Sequence, residues 1–103
     1  MDYFDAKSRE RDLPFRSDGD QLVLLAERRA AVACLRDAAE RCEFEDMRTE
    51  RVLAALGFLE VGLSGQGDRA ARRFRQGLGI PHPRERMEVL RHCLRSIELA
   101  CDF

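Results

Sequence analysis

Val52-Leu53-Ala54-Ala55-Leu56-Gly57-Phe58-Leu59-Glu60-Val61-Gly62-Leu63 is the stretch of this sequence that decides the expected fold. Glu60 is its only charged residue, and its apolar residues recur every three or four positions, as in a helix. Two opposite faces of that helix are apolar, one with Val52, Leu56, Leu59 and Leu63, the other with Ala54, Phe58 and Val61. A helix that is apolar all round has to be covered all round. The stretch therefore predicts a helix of about Met47 to Leu63 that needs more neighbours than a small domain usually offers.

The same periodicity predicts three further helices. The first runs from about Asp20 to Glu43, and residues spaced four and three apart form its seam: Leu24, Arg28, Ala31, Leu35, Ala38 and Cys42. A short basic helix from Arg69 to about Gln76 turns three residues inward: Ala70, Phe74 and Leu78. The last helix begins near Pro83 and carries a seam of Met87, Leu90, Leu94, Ile97 and Cys101. Since no segment alternates like a strand, we predict an all-α fold, a compact bundle of four to five helices, with the fifth at the N-terminus.

Arg28 is the one charged residue in the seam of the first predicted helix. The interpretation we favour places its stem against the seam edge and its guanidinium group in water. The alternative is an interface arginine paired with a carboxylate, a residue type that is enriched at binding hot spots.

Capping residues and helix breakers mark the expected helix ends. The expected N-terminal caps are Asp18 with Gln21 reaching back for the first helix, Asp46 or Thr49 for the second, and Asp68, after a turn over 64–68, for the third. The expected stop signals for the third helix are Gly77 and Gly79, and Pro83 suits the first turn of the last helix.

The chain of 103 residues is expected to form one domain. Residues 1–16 form a polar lead that ends near Pro14, with four possible apolar anchors: Tyr3, Phe4, Leu13 and Phe15. Residues 17–103 form the single helical domain. Met1–Asp12 is too polar for a secretory signal, and no stretch is apolar enough to span a membrane, so we expect a cytoplasmic protein.

The charges of the sequence are unevenly placed, although the formal net charge is only −1. The first 63 residues carry 10 basic and 14 acidic side chains, and residues 64–103 carry 8 basic and 5 acidic ones. Lys7 is the only lysine, a bias typical of a GC-rich bacterial genome. The arginines of the second part raise nucleic-acid binding as an alternative. We prefer a solvated face or a surface that binds acidic groups, because the total charge is not basic and Phe74 is the only aromatic residue nearby.

No catalytic, cofactor or metal signature occurs in the sequence. Its two histidines, His82 and His92, stand in no nucleophile motif, and no phosphate-binding glycine pattern is present. The four cysteines are Cys34, Cys42, Cys93 and Cys101, and each of the two pairs is eight residues apart. Eight residues are about 12 Å along a helix, too far for one tetrahedral zinc ion. We therefore expect core-facing thiols, and a protein that is not an enzyme.

Residues Leu56–Pro81 resemble one tetratricopeptide-type unit. Leu56-Gly57 matches the Leu-Gly of that repeat, and Ala70, Phe74, Gly77-Leu78 and Pro81 follow in a suitable order. A repeat array needs about three such units, and the sequence has one. The resemblance implies a packed helical hairpin, and it makes a helical adaptor or chaperone, for example of a secretion system, the first alternative function.

Three further segments carry a second resemblance: Ala39-Glu40-Arg41-Cys42-Glu43-Phe44-Glu45-Asp46, Arg72-Arg73-Phe74-Arg75-Gln76-Gly77-Leu78 and the final helix Arg84–Ile97. Together they resemble the QslA family, antiactivators that act on the regulator LasR. The resemblance implies a homodimeric helical protein that docks on the ligand-binding domain of a LuxR-type quorum-sensing transcription regulator. There it would occupy the dimerisation surface of the regulator and so block DNA binding. The family has no defining catalytic residues to transfer.

The residues proposed for a protein interface follow from the apolar stretch and the basic helix. Leu53, Phe58 and Val61 would make a hydrophobic contact with a second copy or with a partner, and Arg72, Arg73 and Arg75 would supply polar contacts at its rim. In the alternative, Phe58 and Val61 belong to the intramolecular core beneath the first or last helix. Periodicity alone does not separate the two interpretations.

Overall fold

The structure, a computed structural model, describes residues 18–103 apart from the side chain of Asp18. Four helices follow one another in this range: α1 (Asp18–Arg41), α2 (Glu50–Gly62), α3 (Gln66–Gly77) and α4 (Pro83–Ala100). The predicted all-α class is confirmed. The predicted N-terminal lead lies outside the described residues, together with its four anchors and the fifth helix. The proposed capping role of Asp18 depends on its side chain, which is also outside the described part.

The helices form a closed ring in which each one packs against two others. α1 contacts α2, α2 contacts α3, α3 contacts α4, and α4 returns to α1. The predicted seams meet in the middle of this ring. The residues buried there include Leu35 from α1, Leu56 and Leu59 from α2, Phe74 from α3, and Leu90 and Ile97 from α4. The one core is consistent with a single helical domain.

Two glycines allow close approach between helices. A Cβ atom on Gly67 would lie 2.7 Å from Cβ of Ala100 and 3.1 Å from Cβ of Leu63, so only glycine fits where α3 begins beside the end of α4. A Cβ atom on Gly77 would lie 2.9 Å from Cδ2 of Leu90. Neither Gly77 nor Gly79 has a positive φ, so Gly77 serves packing and not the left-handed cap that its position suggested.

The start of α3 corrects one predicted boundary. Asp68 was expected to cap the helix, but α3 begins at Gln66 and Asp68 lies in its first turn. The capping position belongs to Gly65, whose φ of +63° is a conformation that favours glycine. The connection from α2 is therefore shorter than the expected turn over 64–68.

The other helix ends agree more closely with the sequence. Thr49 caps α2 by accepting a hydrogen bond from the backbone N–H of Val52 at 3.2 Å, which decides between the two expected caps. Asp46 instead accepts from the backbone and guanidinium groups of Arg48. Pro83 is in the first turn of α4 as predicted, and His82 caps that helix through Nδ1, which accepts from the N–H of Glu85.

Arg28 differs from its expected role, because its guanidinium group does not simply reach water. One terminal nitrogen donates to the backbone carbonyl of Gly62 at 3.0 Å, and Nε is buried without a hydrogen-bond partner among the described residues. Arg28 therefore fixes the C-terminal end of α2, where helix carbonyls lack partners within the helix, onto α1.

Candidate protein-interaction surface

The outer face of α2 is apolar and only partly covered. Val61 is 88% exposed, and Leu53, at 36%, lies at the edge of the exposed face. Phe58 is half-buried and packs against the core cluster. Val61 is therefore excluded from the core. Phe58 is partly exposed and partly in contact with the core, so its burial does not decide between the interface and the core. Their participation in an interface stays a prediction.

The three arginines proposed for the rim point in different directions from α3. Arg75 turns toward α2 and forms a two-pronged pair with Glu60, with N–O distances of 2.9 and 3.0 Å. Arg72 pairs with Asp68 one turn earlier, at 3.0 Å. Arg73 turns toward α4 and lies near Cys93, where burial raises the pKa of the thiol and the charge of Arg73 opposes that rise. Arg75 therefore lies beside α2 and Arg73 beside α4, and the joint role of the three arginines at an interface stays a prediction.

One end of the bundle, here called the apolar end, holds most of the exposed large apolar side chains. Among the described residues, seven such side chains are exposed, and five of them belong to this end: Leu22, Val23, Val61, Leu99 and Phe103. The hydrogen bond from Arg28 to Gly62 places the start of α1 beside the end of α2, and Gly67 places the end of α4 beside the start of α3. Exposed large apolar side chains at one end of a molecule are typical of protein contact sites.

The apolar end exists because α1 is longer than its neighbours. Its 24 residues span about 36 Å, whereas the 13 residues of α2 span about 20 Å. No residue from Gly19 to Ala30 is buried. This overhanging part of α1 and the last residues of α4 enclose a groove of about 600 Å³ lined by Leu22, Leu24, Leu25 and Cys101, among others. Arg29 also lines this groove, and its guanidinium carbon lies over the ring of Phe103, 5.6 Å from the centroid.

Four residues of the apolar end were not predicted from the sequence: Leu22, Val23, Leu99 and Phe103. A signal for the first two was present, because Leu22-Val23-Leu24-Leu25 is a run of four apolar residues, which cannot all face one seam. The expected difference in length between the first and second helices was a second signal. Nothing comparable in the sequence marks Leu99 and Phe103, which are exposed at and just after the end of α4.

The described residues contain neither a metal-binding cluster nor a membrane-spanning helix. No group of three or more His, Cys, Asp or Glu side chains in residues 18–103 is arranged to hold a metal ion. All four cysteines are free thiols, three of them buried and Cys34 half-buried against the core, which confirms their core-facing placement. None of the four described helices is long and apolar enough to cross a lipid bilayer.

The comparisons with known proteins assign no family. No family model, no curated protein and no solved structure matches the chain.

Proposed function

We propose that the protein is a small regulator that binds and sequesters another protein. Its specific form would be a homodimeric antiactivator that covers the dimerisation surface of a LuxR-type quorum-sensing transcription regulator and so prevents DNA binding. The observation that carries the proposal is the apolar end, because exposed apolar side chains from α1, α2 and α4 are concentrated there. A surface of this kind fits the apolar face that a regulator uses for its own dimer.

The choice of a transcription regulator as partner comes from the resemblance to the QslA family. The resembling segments occupy the end of α1 with its following loop, the second half of α3, and most of α4. Homodimerisation is part of the same proposal, since a second copy would cover the apolar end while no partner is bound. Val61 and Leu53 would contribute to the contact from α2, and Leu22 and Val23 from the overhang of α1.

The experiment that tests the proposal is a pull-down of the tagged protein from its source cells, at low and at high salt, with partners identified by mass spectrometry. The matched bait is Val61→Glu, because Val61 is exposed and the substitution leaves the core intact, whereas Phe58→Glu would also disturb packing. We expect a LuxR-type regulator that is retained at high salt by the wild type and lost with the variant.

Other outcomes would redirect the functional assignment. A secretion-system subunit or effector as the partner would replace the antiactivator with a helical adaptor or chaperone, consistent with the tetratricopeptide-like hairpin of α2 and α3. Nucleic acid that is released by moderate salt would indicate a polyanion-binding protein, since phosphate contacts weaken steeply with salt. Equal recovery of the regulator by both baits would contradict the role of the apolar end.

A further inference from the structure

A groove between α3 and α4 lies on a different face from the outer face of α2. It encloses about 460 Å³, and its residues are Arg73, Gln76, Gly77, Ile80, Glu88, Val89, His92 and Cys93. Because Gly77 has no side chain, Val89 and Leu90 approach α3 closely. The result is an apolar hollow with Arg73 and polar groups at its margin, large enough for one apolar side chain of a ligand.

A second hollow adjoins the first along the same pair of helices. It encloses about 310 Å³ and is lined by Gln66, Arg69, Ala70, Arg73 and Ser96. Arg73 belongs to both linings, so the two hollows lie side by side, and together they are here called the α3–α4 groove. One end of it is apolar, and the other end presents two guanidinium groups.

The arginines along this groove have no carboxylate partner among the described residues, which is also true of some arginines elsewhere in the protein. Within residues 18–103, ion pairs join Arg36, Arg41, Arg48, Arg72 and Arg75 to acidic groups. No ion pair involves Arg69, Arg73, Arg91 or Arg95 in the same part of the chain. Arg69 and Arg73 are one helical turn apart on α3. Arg91 and Arg95 are one turn apart on α4, and they directly precede two groove residues, His92 and Ser96. Like charges at this spacing destabilise a helix, so an acidic ligand would relieve the repulsion.

We propose that the α3–α4 groove binds an acidic segment of a partner protein, with one apolar side chain of that segment over Ile80 and Val89 and its carboxylates on Arg69 and Arg73. Planar guanidinium groups bind carboxylates in two-pronged geometry, as Arg75 does with Glu60 in this molecule. The inference goes beyond the proposed function, because the groove is separate from the apolar end and its test does not require the regulator.

Nucleic acid fits the groove less well than an acidic peptide does. Glu88 lies in the lining, and a phosphate chain cannot avoid it, whereas a peptide can place an uncharged residue there. Single-stranded nucleic acid also needs aromatic platforms for its bases, but Phe74, the aromatic residue of α3, is fully buried.

A second copy of the chain is also a weaker candidate. The exposed acidic loop that a copy could insert is Glu43-Phe44-Glu45-Asp46, in which Phe44 is 81% exposed. Two of its three carboxylates are already engaged, Glu45 with Arg41 and Asp46 with Arg48. Little negative charge is left in that loop for Arg69 and Arg73.

The test measures binding of a fluorescein-labelled dodecapeptide of glutamates with one central phenylalanine, by fluorescence anisotropy. Three comparison probes carry the same label: the peptide with glutamines in place of the glutamates, the peptide with serine in place of phenylalanine, and a single-stranded DNA of twelve nucleotides. The variants are Arg73→Glu and Arg69→Glu, and the matched control is Arg51→Glu, an exposed arginine on α2 with the same change of charge. Circular dichroism confirms that each variant is folded.

We expect the acidic peptide to bind, and each groove variant to weaken that binding about tenfold while Arg51→Glu leaves it within about twofold. Both peptide substitutions should weaken binding as well. Absence of peptide binding, or equal loss with Arg51→Glu, would overturn the proposal. DNA binding that is stronger than peptide binding and sensitive to Arg73→Glu would assign the groove to nucleic acid instead. Self-association that Arg73→Glu abolishes would assign it to a second copy.

Discussion

Gly67 and Gly57 illustrate how differently one residue type acts in two helices. Gly67 is buried where α3 meets Leu63 and the end of α4, and a Cβ atom there would lie 2.7 Å from Cβ of Ala100. Neither contact can be relieved by rotating a flexible side chain. Gly57 lies inside α2 with nothing within 4 Å of a Cβ position, so its effect is limited to the conformational freedom it gives the unfolded chain.

These environments predict opposite effects of alanine. We expect Gly67→Ala to lower the free energy of unfolding by about 1–3 kcal/mol, because the added methyl group overpacks the junction. Gly57→Ala should raise the free energy of unfolding by about 0.5–1 kcal/mol. Urea denaturation of the two variants and the wild type measures both changes. A stabilising Gly67→Ala would show that α3 does not begin as close to α4 as the structure has it.

Asp46 gives a second prediction at the scale of one residue. Hydrogen bonds from the side chain and the backbone of Arg48 lower the pKa of Asp46 from its ordinary 3.8 to about 2. Because the folded pKa is depressed, the stabilisation is present above pH 3.8 and is lost as the pH falls through about 2. A carboxyl-carbon NMR titration should give a midpoint near 2, and Arg48→Ala should return it toward 3.8. A wild-type midpoint near 3.8 would mean that the pair is not formed in solution.

At the scale of the helices, sequence periodicity predicted which elements form and which faces they bury. The seam of α1 is buried from Ala31 to Cys42, and Leu56, Phe74 and Ile97 were assigned to the core and lie there fully buried. Helix ends were less predictable, because they depend on neighbours. α3 starts before Asp68 since Gly67 can enter the junction with α4, and this contact cannot be inferred from local capping residues.

Arg28 is the clearest case of a side chain whose role depends on another helix. Its position in an apolar seam could be read from the sequence, but its bond to the carbonyl of Gly62 requires the end of α2 to lie opposite. The long range of the contact, 34 residues along the chain, is what made it unpredictable.

We expect Arg28→Met to lower the free energy of unfolding by about 1 kcal/mol. The substitution keeps an unbranched apolar stem but removes a charged hydrogen bond to the helix end, and part of the loss is offset because the buried, unpartnered Nε also disappears. Arg51→Met is the control, since Arg51 is exposed, and it should change stability by less than about 0.5 kcal/mol. Thermal unfolding followed by circular dichroism compares the two. Equal effects would show that the Arg28–Gly62 contact adds nothing to stability.

At the scale of the whole molecule, the candidate site was only partly predictable. Periodicity left Val61 open between an interface and the core, and its exposure excludes the core role. The larger feature, the apolar end, arises from the mismatch in length between α1 and its neighbours and from the way α4 returns beside the overhang. The grouping of the rim arginines stays a prediction: Arg72 and Arg75 are three positions apart and share one side of α3, whereas Arg73 lies near Cys93 of α4.

The most direct test of the central claim is a sedimentation-velocity experiment on a purified LuxR-type ligand-binding domain. It measures the assembly state of that domain with and without this protein. The account predicts that the wild type converts the regulator's dimer into a mixed complex. Val61→Glu and Leu22→Glu should fail to do so, while Arg51→Glu should act like the wild type. A regulator that stays dimeric in the presence of excess wild-type protein would contradict the account.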